Sequence, residues 1–302
     1  MRCSLRRRQQ QEWLQGGGAE LHTHLTLVVL FVVLGAGVLH ASWNAMTKSI
    51  ENRFFAFALI GMASTVAGGL ALVVTGLPAR AAIAFACGSA VIHVLYEVGL
   101  INSYRLGAFN QTYPIARGTS PLVVAVGAWW LADEHLSVLA WSGIAILAAG
   151  LMSLALSSGK LTRAELPAIG AAVATGLTIA AYTLVDGLGV RRSGDPYAYA
   201  ALLFLLQGPV FPVVYLLRRR PVPWRDVPIV CRGLLAGVIS VIAYSLVLWA
   251  QTKAPLAEVA ALRETSVIAA ALIGALFFRE DFGGRRVAAA ALVAAGILLI
   301  AA

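Results

Sequence analysis

The chain has 302 residues, 60% of them hydrophobic and 12% charged, with a formal net charge of +9 and a mean hydropathy of +0.82. Soluble domains carry about 25% Asp, Glu, Lys and Arg, so the composition excludes a soluble enzyme, a nucleic-acid binder and a disulfide-rich secreted domain. The basic residues flank apolar runs, where they meet anionic lipid headgroups, and the chain reads as an all-α integral membrane protein.

Residues 1–22 contain Arg2, Arg6, Arg7, Arg8 and the run Gly16–Gly18 and are predicted to form a basic, disordered tail. A helix needs about 20 apolar residues to cross about 30 Å of hydrocarbon. Ten such runs follow, at 25–47, 54–77, 81–104, 107–131, 137–157, 166–190, 197–217, 228–252, 255–278 and 284–302. Charge and turn signals separate them, among them Glu51 and Arg53, Pro78 and Arg80, Asp133-Glu134-His135, Arg191-Arg192, Arg218–Pro223 and Arg279–Asp281. Cys3, Cys87 and Cys231 are far apart, and they read as small apolar side chains, not as a disulfide framework or metal site.

Ionisable groups at membrane depth cost a few kcal/mol, so each needs a partner, water or a role. On span one, His40, Asn44 and Lys48 share a face at i, i+4, i+8 spacing, with Trp43 beside them. His40 and Asn44 either line a cavity or bond across helices, while Lys48 reaches the interface. On span three, His93 and Glu97 stand at i, i+4 next to Tyr96; they form a candidate proton-carrying pair, with a structural hydrogen bond as the alternative. Span four carries Tyr113 and, about ten residues in, Arg117. Pro114 and Pro121 each remove a helical donor, Pro121 the one owed to the carbonyl of Arg117. A break or kink is therefore expected beside Arg117, of a kind tolerated at that depth where protein or a water-filled cavity satisfies the backbone. On span eight, Gly233 and Gly237 make a close-packing GxxxG, and Tyr244, Trp249 and Gln251, with Gln207 of span seven, are weaker cavity candidates.

Span nine places Glu258, Arg263 and Glu264 at membrane depth. Successive helical residues point about 100° apart, so Glu264 is not expected to pair with Arg263. Neither Arg117 nor Arg263 has an acid at i±3 or i±4 in its own helix. Two compatible readings stay open. Both guanidinium groups face a cavity and suit a carboxylate, phosphate or phosphonate, or they make interhelical ion pairs, for instance Arg117 with Glu97.

An internal repeat appears at an offset of 146 residues. Arg117, Thr119 and Ser120 then fall on Arg263, Thr265 and Ser266, Glu134 on Glu280, and Ala148-Ala149-Gly150 on Ala294-Ala295-Gly296. Five spans per half is an odd number, so halves at 23–158 and 159–302 must cross with opposite orientation. That is the inverted-repeat plan of many secondary transporters, whose substrate site lies near the midplane between halves.

These features resemble the EamA branch of the drug/metabolite transporter superfamily, as do Leu39-His40-Ala41-Ser42-Trp43-Asn44-Ala45 and Thr119-Ser120-Pro121. The resemblance covers about residues 25–302. It implies ten transmembrane helices in two inverted five-helix repeats, around a cavity lined by spans one, three, four, six, eight and nine. It further implies secondary active transport of a small polar metabolite by alternating access, in a multi-pass protein of the cell (inner or plasma) membrane. The candidate cavity residues are His40, Trp43, Asn44, His93, Tyr96, Glu97, Tyr113, Arg117, Tyr244, Glu258, Arg263 and Glu264, with Glu97 and His93 as proton-coupling candidates. The expected partners are a small-molecule substrate and membrane lipid, not nucleic acid; a homodimer stays open, and no cofactor, metal or catalytic residue is expected.

The alternatives are a channel or an intramembrane lipid-modifying enzyme. The sequence has no phosphate-binding loop, His-Glu-x-x-His or Gly-x-Ser-x-Gly. Two orientation signals oppose each other. The resemblance and the basic tail put both termini in the cytoplasm, whereas Lys48, Arg53, Lys160, Arg163, Arg218–Arg220, Arg225, Arg279, Arg285 and Arg286 crowd the opposite face and would be inside by the positive-inside rule.

Overall fold

The computed structural model describes residues 26–106, 109–156, 163–218, 226–269 and 284–302. The tail at 1–22 and Glu280 lie outside the described residues, as does the second part of the expected ninth span. The regular elements described are all helical: α1 (Leu27–Lys48), α2 (Arg53–Thr75), α3 (Arg80–Leu106), α4 (Phe109–Leu131), α5 (Val138–Leu156), α6 (Leu166–Arg191), α7 (Pro196–Gln207), α8 (Val210–Leu217), α9 (Val227–Gln251), α10 (Leu256–Arg263) and α11 (Gly284–Ala301). Among the described residues, seven stretches are long and apolar enough to cross a membrane: α1, α2, α3, α5, α6, α7 with α8, and α9. α11 holds the shorter apolar run Val287–Ala301.

Short polar side chains fix several helix starts, where orphan N–H groups need acceptors. Thr26 Oγ1 accepts from the Val29 N–H at 3.3 Å, Asn52 Oδ1 from Phe55 at 3.1 Å, Asp195 Oδ1 from Tyr197 at 2.8 Å and Asp226 Oδ1 from Ile229 at 3.3 Å. α2 ends at Gly76, whose φ of 73° is the left-handed conformation that glycine adopts without steric cost.

Two spans differ from expectation. α4 runs without interruption through Pro114 and Pro121, so the expected break is not there. The break lies instead in span nine, where α10 stops at Arg263 and helical backbone resumes at 266–269. Across Glu264 and Thr265 the ladder tightens to three-residue bonds: Glu264 N–H to Ala261 O (3.0 Å), Thr265 N–H to Leu262 O (3.1 Å) and Val267 N–H to Glu264 O (3.0 Å). Span seven is also interrupted, at Gly208-Pro209 between α7 and α8, because Pro209 has no N–H to continue the ladder.

Sequence neighbours are not the main packing neighbours. α1 lies chiefly on α9, α3 on α6, and α6 also on α4; α2 packs on α7 and α9, and α5 on α11. α10 sits in the middle, against α4 and α1. The largest core runs through these central helices, with Val33, Val124, Leu147, Val247, Leu256, Val259 and Leu262 buried, while Phe31, Val73, Val74, Trp130 and Leu298 face outward. Gly233 and Gly237 do what the GxxxG spacing suggests: a Cβ on Gly237 would lie 2.6 Å from Ala63 Cβ, so α9 rests directly on α2. At the α5–α11 crossing, a Cβ on Gly143 would lie 2.6 Å from Gly296 O, and one on Gly150 3.2 Å from Ala289 O. Numbers rise along α5 while they fall along α11, so the two helices are antiparallel.

The connections mark two ends of the bundle. At one end the Ala79 N–H donates to Ser193 O at 2.9 Å. There too both Glu134 carboxylate oxygens accept the Leu256 N–H, at 2.9 and 2.8 Å, which caps α10. Arg191 pairs with Glu134 at 2.7 Å and donates to the carbonyls of Gln251 and Ala254 at 2.8 and 2.9 Å. At the other end Arg232 donates to Ser49 Oγ at 3.1 Å.

Candidate functional site

Arg117 of α4 and Arg263 of α10 both reach the centre of the bundle, each only 3% exposed. Between them is Glu264, fully buried. Arg117 Nη1 donates to Glu264 Oε1 at 3.0 Å, and Arg263 Nε lies 3.7 Å from the same oxygen, beyond hydrogen-bond reach. The acid that pairs with Arg117 is therefore Glu264, not Glu97. The turn after α10 explains how: the 100° rule holds only within a continuous helix, and the break turns the Glu264 carboxylate between both guanidinium groups.

Arg117 Nη2 also donates to His40 Nε2 on α1. Trp43 Nε1 lies 3.3 Å from His40 Nδ1. Both neighbours are donors, and a neutral imidazole accepts at one nitrogen only, so one of the two contacts is satisfied at a time. Asn44 turns back along α1 and donates to His40 O at 2.8 Å. Lys48's side chain lies outside the described residues. The Tyr113 ring stands over the Arg117 guanidinium, 5.4 Å from ring centroid to Cζ.

Arg263 is held more loosely. Its Nη2 is 3.5 Å from Thr183 Oγ1 on α6, its Cζ is 5.7 Å from the Tyr182 ring centroid, and its Nε has no hydrogen-bond partner among the described residues. Glu264 Oε2 and the buried hydroxyls of Ser120 and Ser266 also lack one. Glu258 is buried one turn earlier in α10, with Oε2 unpartnered.

A second polar group continues from the first through Tyr182. That ring stacks on His93 at 4.0 Å and meets Tyr96 edge-on at 5.5 Å. His93 does not turn toward Glu97. Helical side chains lean toward the N-terminus, and His93 Nδ1 accordingly meets Ser89 O at 3.0 Å, with Nε2 3.9 Å from Asp186 Oδ2. Glu97 is half-buried. Asp186 is fully buried and accepts from Tyr199 OH at 2.9 Å and from Tyr244 OH.

Thus α1, α3, α4, α9, α10 and the turn after α10 bring together His40, Trp43, His93, Tyr96, Tyr113, Arg117, Tyr244, Arg263 and Glu264. Asp186, Tyr182, Thr183 and Tyr199 belong to the same constellation, yet no motif flags them. The available signal was that Asp186 is the sole acid within α6; five residues before Arg191, it passes for the charged end of a span.

Residues 166–302 match the EamA-like transporter family. The match runs from α6 to the last residue given. The EamA-like segment begins at α6 and supplies Tyr182, Asp186, Tyr244, Arg263 and Glu264, and its apolar helices, with those that precede it, make a multi-pass membrane protein. A solved crystal structure is similar in fold over 90% of this chain and 96% of that chain, with a TM-score of 0.73 at 15% identity. No curated protein matches the chain.

Proposed function

We propose that this EamA-like protein is a secondary active transporter that moves a small anionic metabolite across the cell membrane by alternating access, and that Arg263 binds the anion. The observation that carries the reading is the unequal state of the two arginines. Arg117 hydrogen-bonds Glu264 at 3.0 Å, whereas Arg263 is just as buried, stands 3.7 Å from the same oxygen and has no hydrogen bond to its Nε among the described residues. A buried guanidinium needs a counter-charge, and a carboxylate, phosphate or phosphonate fits its fork. The adjoining break in span nine supports the same place, since irregular backbone at membrane depth is found where it lines a cavity or is buried in protein.

The ten-helix, inverted-repeat architecture, with halves at 23–158 and 159–302, belongs to this proposal. Its support is that the packing pattern maps onto itself when each span is exchanged with the span five later: one-on-eight becomes six-on-three, and four-on-six becomes nine-on-one. At the offset of 146, the Gly143–Gly296 contact becomes Ala289–Gly150, and both are present in one antiparallel crossing. A Cβ on Gly37 of span one would lie 2.7 Å from Thr265 Oγ1 and one on Gly176 of span six 2.9 Å from Thr119 Cβ, so the offset-related Thr265 and Thr119 each meet a glycine, from spans five apart. The partners on this reading are one solute and the surrounding lipid. It needs neither cofactor nor catalysis.

The test is counterflow in proteoliposomes across a panel of radiolabelled hydroxy acids, amino acids, sugar phosphates and phosphonates. Saturable counterflow of an anion is expected for the wild type. Arg263→Lys keeps the charge but loses the fork and should weaken binding; Arg263→Gln should weaken it at least tenfold, about 1.4 kcal/mol. Affinity unchanged within twofold in a folded Arg263→Gln protein would end the anion-site reading, and non-saturable flux would favour a channel.

A further inference from the structure

We propose that Asp186 and His93 hold one exchangeable proton between them, and that this proton is coupled to the charge state of Arg263 and hence to solute movement. The inference rests on the transport reading above. Its first element is the tautomer of His93. Nδ1 lies 3.0 Å from the carbonyl oxygen of Ser89, which can only accept, and 3.1 Å from the Ser89 hydroxyl, which can accept as well as donate, so a hydrogen on Nδ1 is the arrangement that satisfies both contacts. Nε2 is the variable position, and it looks at Asp186 Oδ2 across 3.9 Å. Without a proton there, a nitrogen lone pair faces a fully buried carboxylate. With one proton the pair is either imidazolium and carboxylate or imidazole and carboxylic acid, and its net charge is zero. The site thus alternates between a neutral, loaded state and an empty state of charge −1.

The second element is what surrounds the pair. Tyr199 of α7 donates to Oδ1 at 2.9 Å and Tyr244 of α9 donates to Oδ2, so the carboxylate is held from two helices while His93 approaches from α3. Tyr182 of α6 separates the pair from Arg263, stacking on His93 on one side and facing the guanidinium at 5.7 Å. Glu264, in the turn after α10, and Arg117 of α4 lie beyond Arg263, and Tyr96 and Glu97 continue α3 one turn on. When the proton leaves, the bundle gains a negative charge near Arg263, which competes with a solute anion for the guanidinium. When it returns, Arg263 is again in need of an anion. Proton and anion therefore bind together, and by linkage each strengthens the other.

The full-length protein in lipid nanodiscs, labelled with nitrogen-15 histidine, tests this without any solute. His93→Gln assigns the His93 signals. In the wild type the Nε2 proton of His93 should appear in a single titration step. That step should shift by at least tenfold in proton concentration in Asp186→Asn, and measurably in Arg263→Gln, which removes the charge across Tyr182. Tyr244→Phe, which deletes one donor to the carboxylate, gives the same readout should Asp186→Asn fail to fold. A His93 titration identical in wild type, Asp186→Asn and Tyr244→Phe would overturn the shared proton, and one untouched by Arg263→Gln would overturn the coupling. Failure of the transport reading looks different: counterflow would be absent from the wild type, with the titration unaffected.

Discussion

Arg117 and Arg263 sit at equivalent positions of the 146-residue offset, but removing them is expected to have different consequences. Arg117→Gln deletes the closest partner of the fully buried Glu264 carboxylate, and stranding a buried charge costs about 3–5 kcal/mol. Arg263→Gln removes a guanidinium that has no short ionic contact of its own, so its loss should fall on solute binding and leave stability within about 1 kcal/mol of wild type. Thermal unfolding of both purified variants measures this; equal destabilisation would show that Arg263 is also a structural ion. Composition and spacing were enough to find the arginines, because a charge in an apolar run stands out. Their partner was not legible. Glu264 lies 147 residues from Arg117, and the rule that turned it away from Arg263 assumed a helix that in fact stops there. Asp186 was missed for the complementary reason: its partners His93, Tyr199 and Tyr244 come from three other helices, and no local pattern records them.

Helix edges were well anticipated, since Pro, Gly and charged residues end apolar runs by local chemistry, and α1, α2, α6 and α9 begin and end within a few residues of the expected bounds. Breaks inside spans do not follow proline alone, although span seven is interrupted at Pro209. α4 keeps its helix through two prolines, whereas span nine breaks with none at the break. α10 is only eight residues long and depends on what holds its ends. Glu134→Ala removes both the acceptor for the Leu256 N–H and the counter-ion of Arg191, and it should cost about 2 kcal/mol; Glu134→Gln, which can still accept, should cost less. Hydrogen exchange at Leu256 reports the loss of the cap, and unchanged protection in Glu134→Ala would mean that α10 is anchored elsewhere. Close crossings give a second expectation. Gly143→Ala places a methyl 2.6 Å from Gly296 O and 3.0 Å from Ile300 N, so α5 and α11 must separate, at about 1–3 kcal/mol. Gly35→Ala meets nothing within 4 Å and should leave the melting temperature unchanged.

At the scale of the molecule, the contacts Ala79–Ser193 and Glu134–Arg191–Leu256 define one end, and Ser49–Arg232 the other. In a cysteine-free background, Asp133→Cys and Asp195→Cys should therefore react with a membrane-impermeant maleimide from one side of intact cells, and Glu51→Cys only from the other. Labelling of Glu51→Cys and Asp133→Cys from the same side would break the inverted arrangement, and the result also decides between the two opposing orientation signals in the loops. The shared carboxylate carries one more consequence, for ancestry. At the offset of 146, Glu264 corresponds to Gly118, so only the later half owns the acid. If the halves descend from one duplicated five-helix gene, they have ceased to be interchangeable. A chain built from two copies of the first half would set two arginines at the centre with no counterpart of Glu264 beside them. One built from two second halves would set two arginines and two such glutamates there, with no guanidinium left to greet an anion.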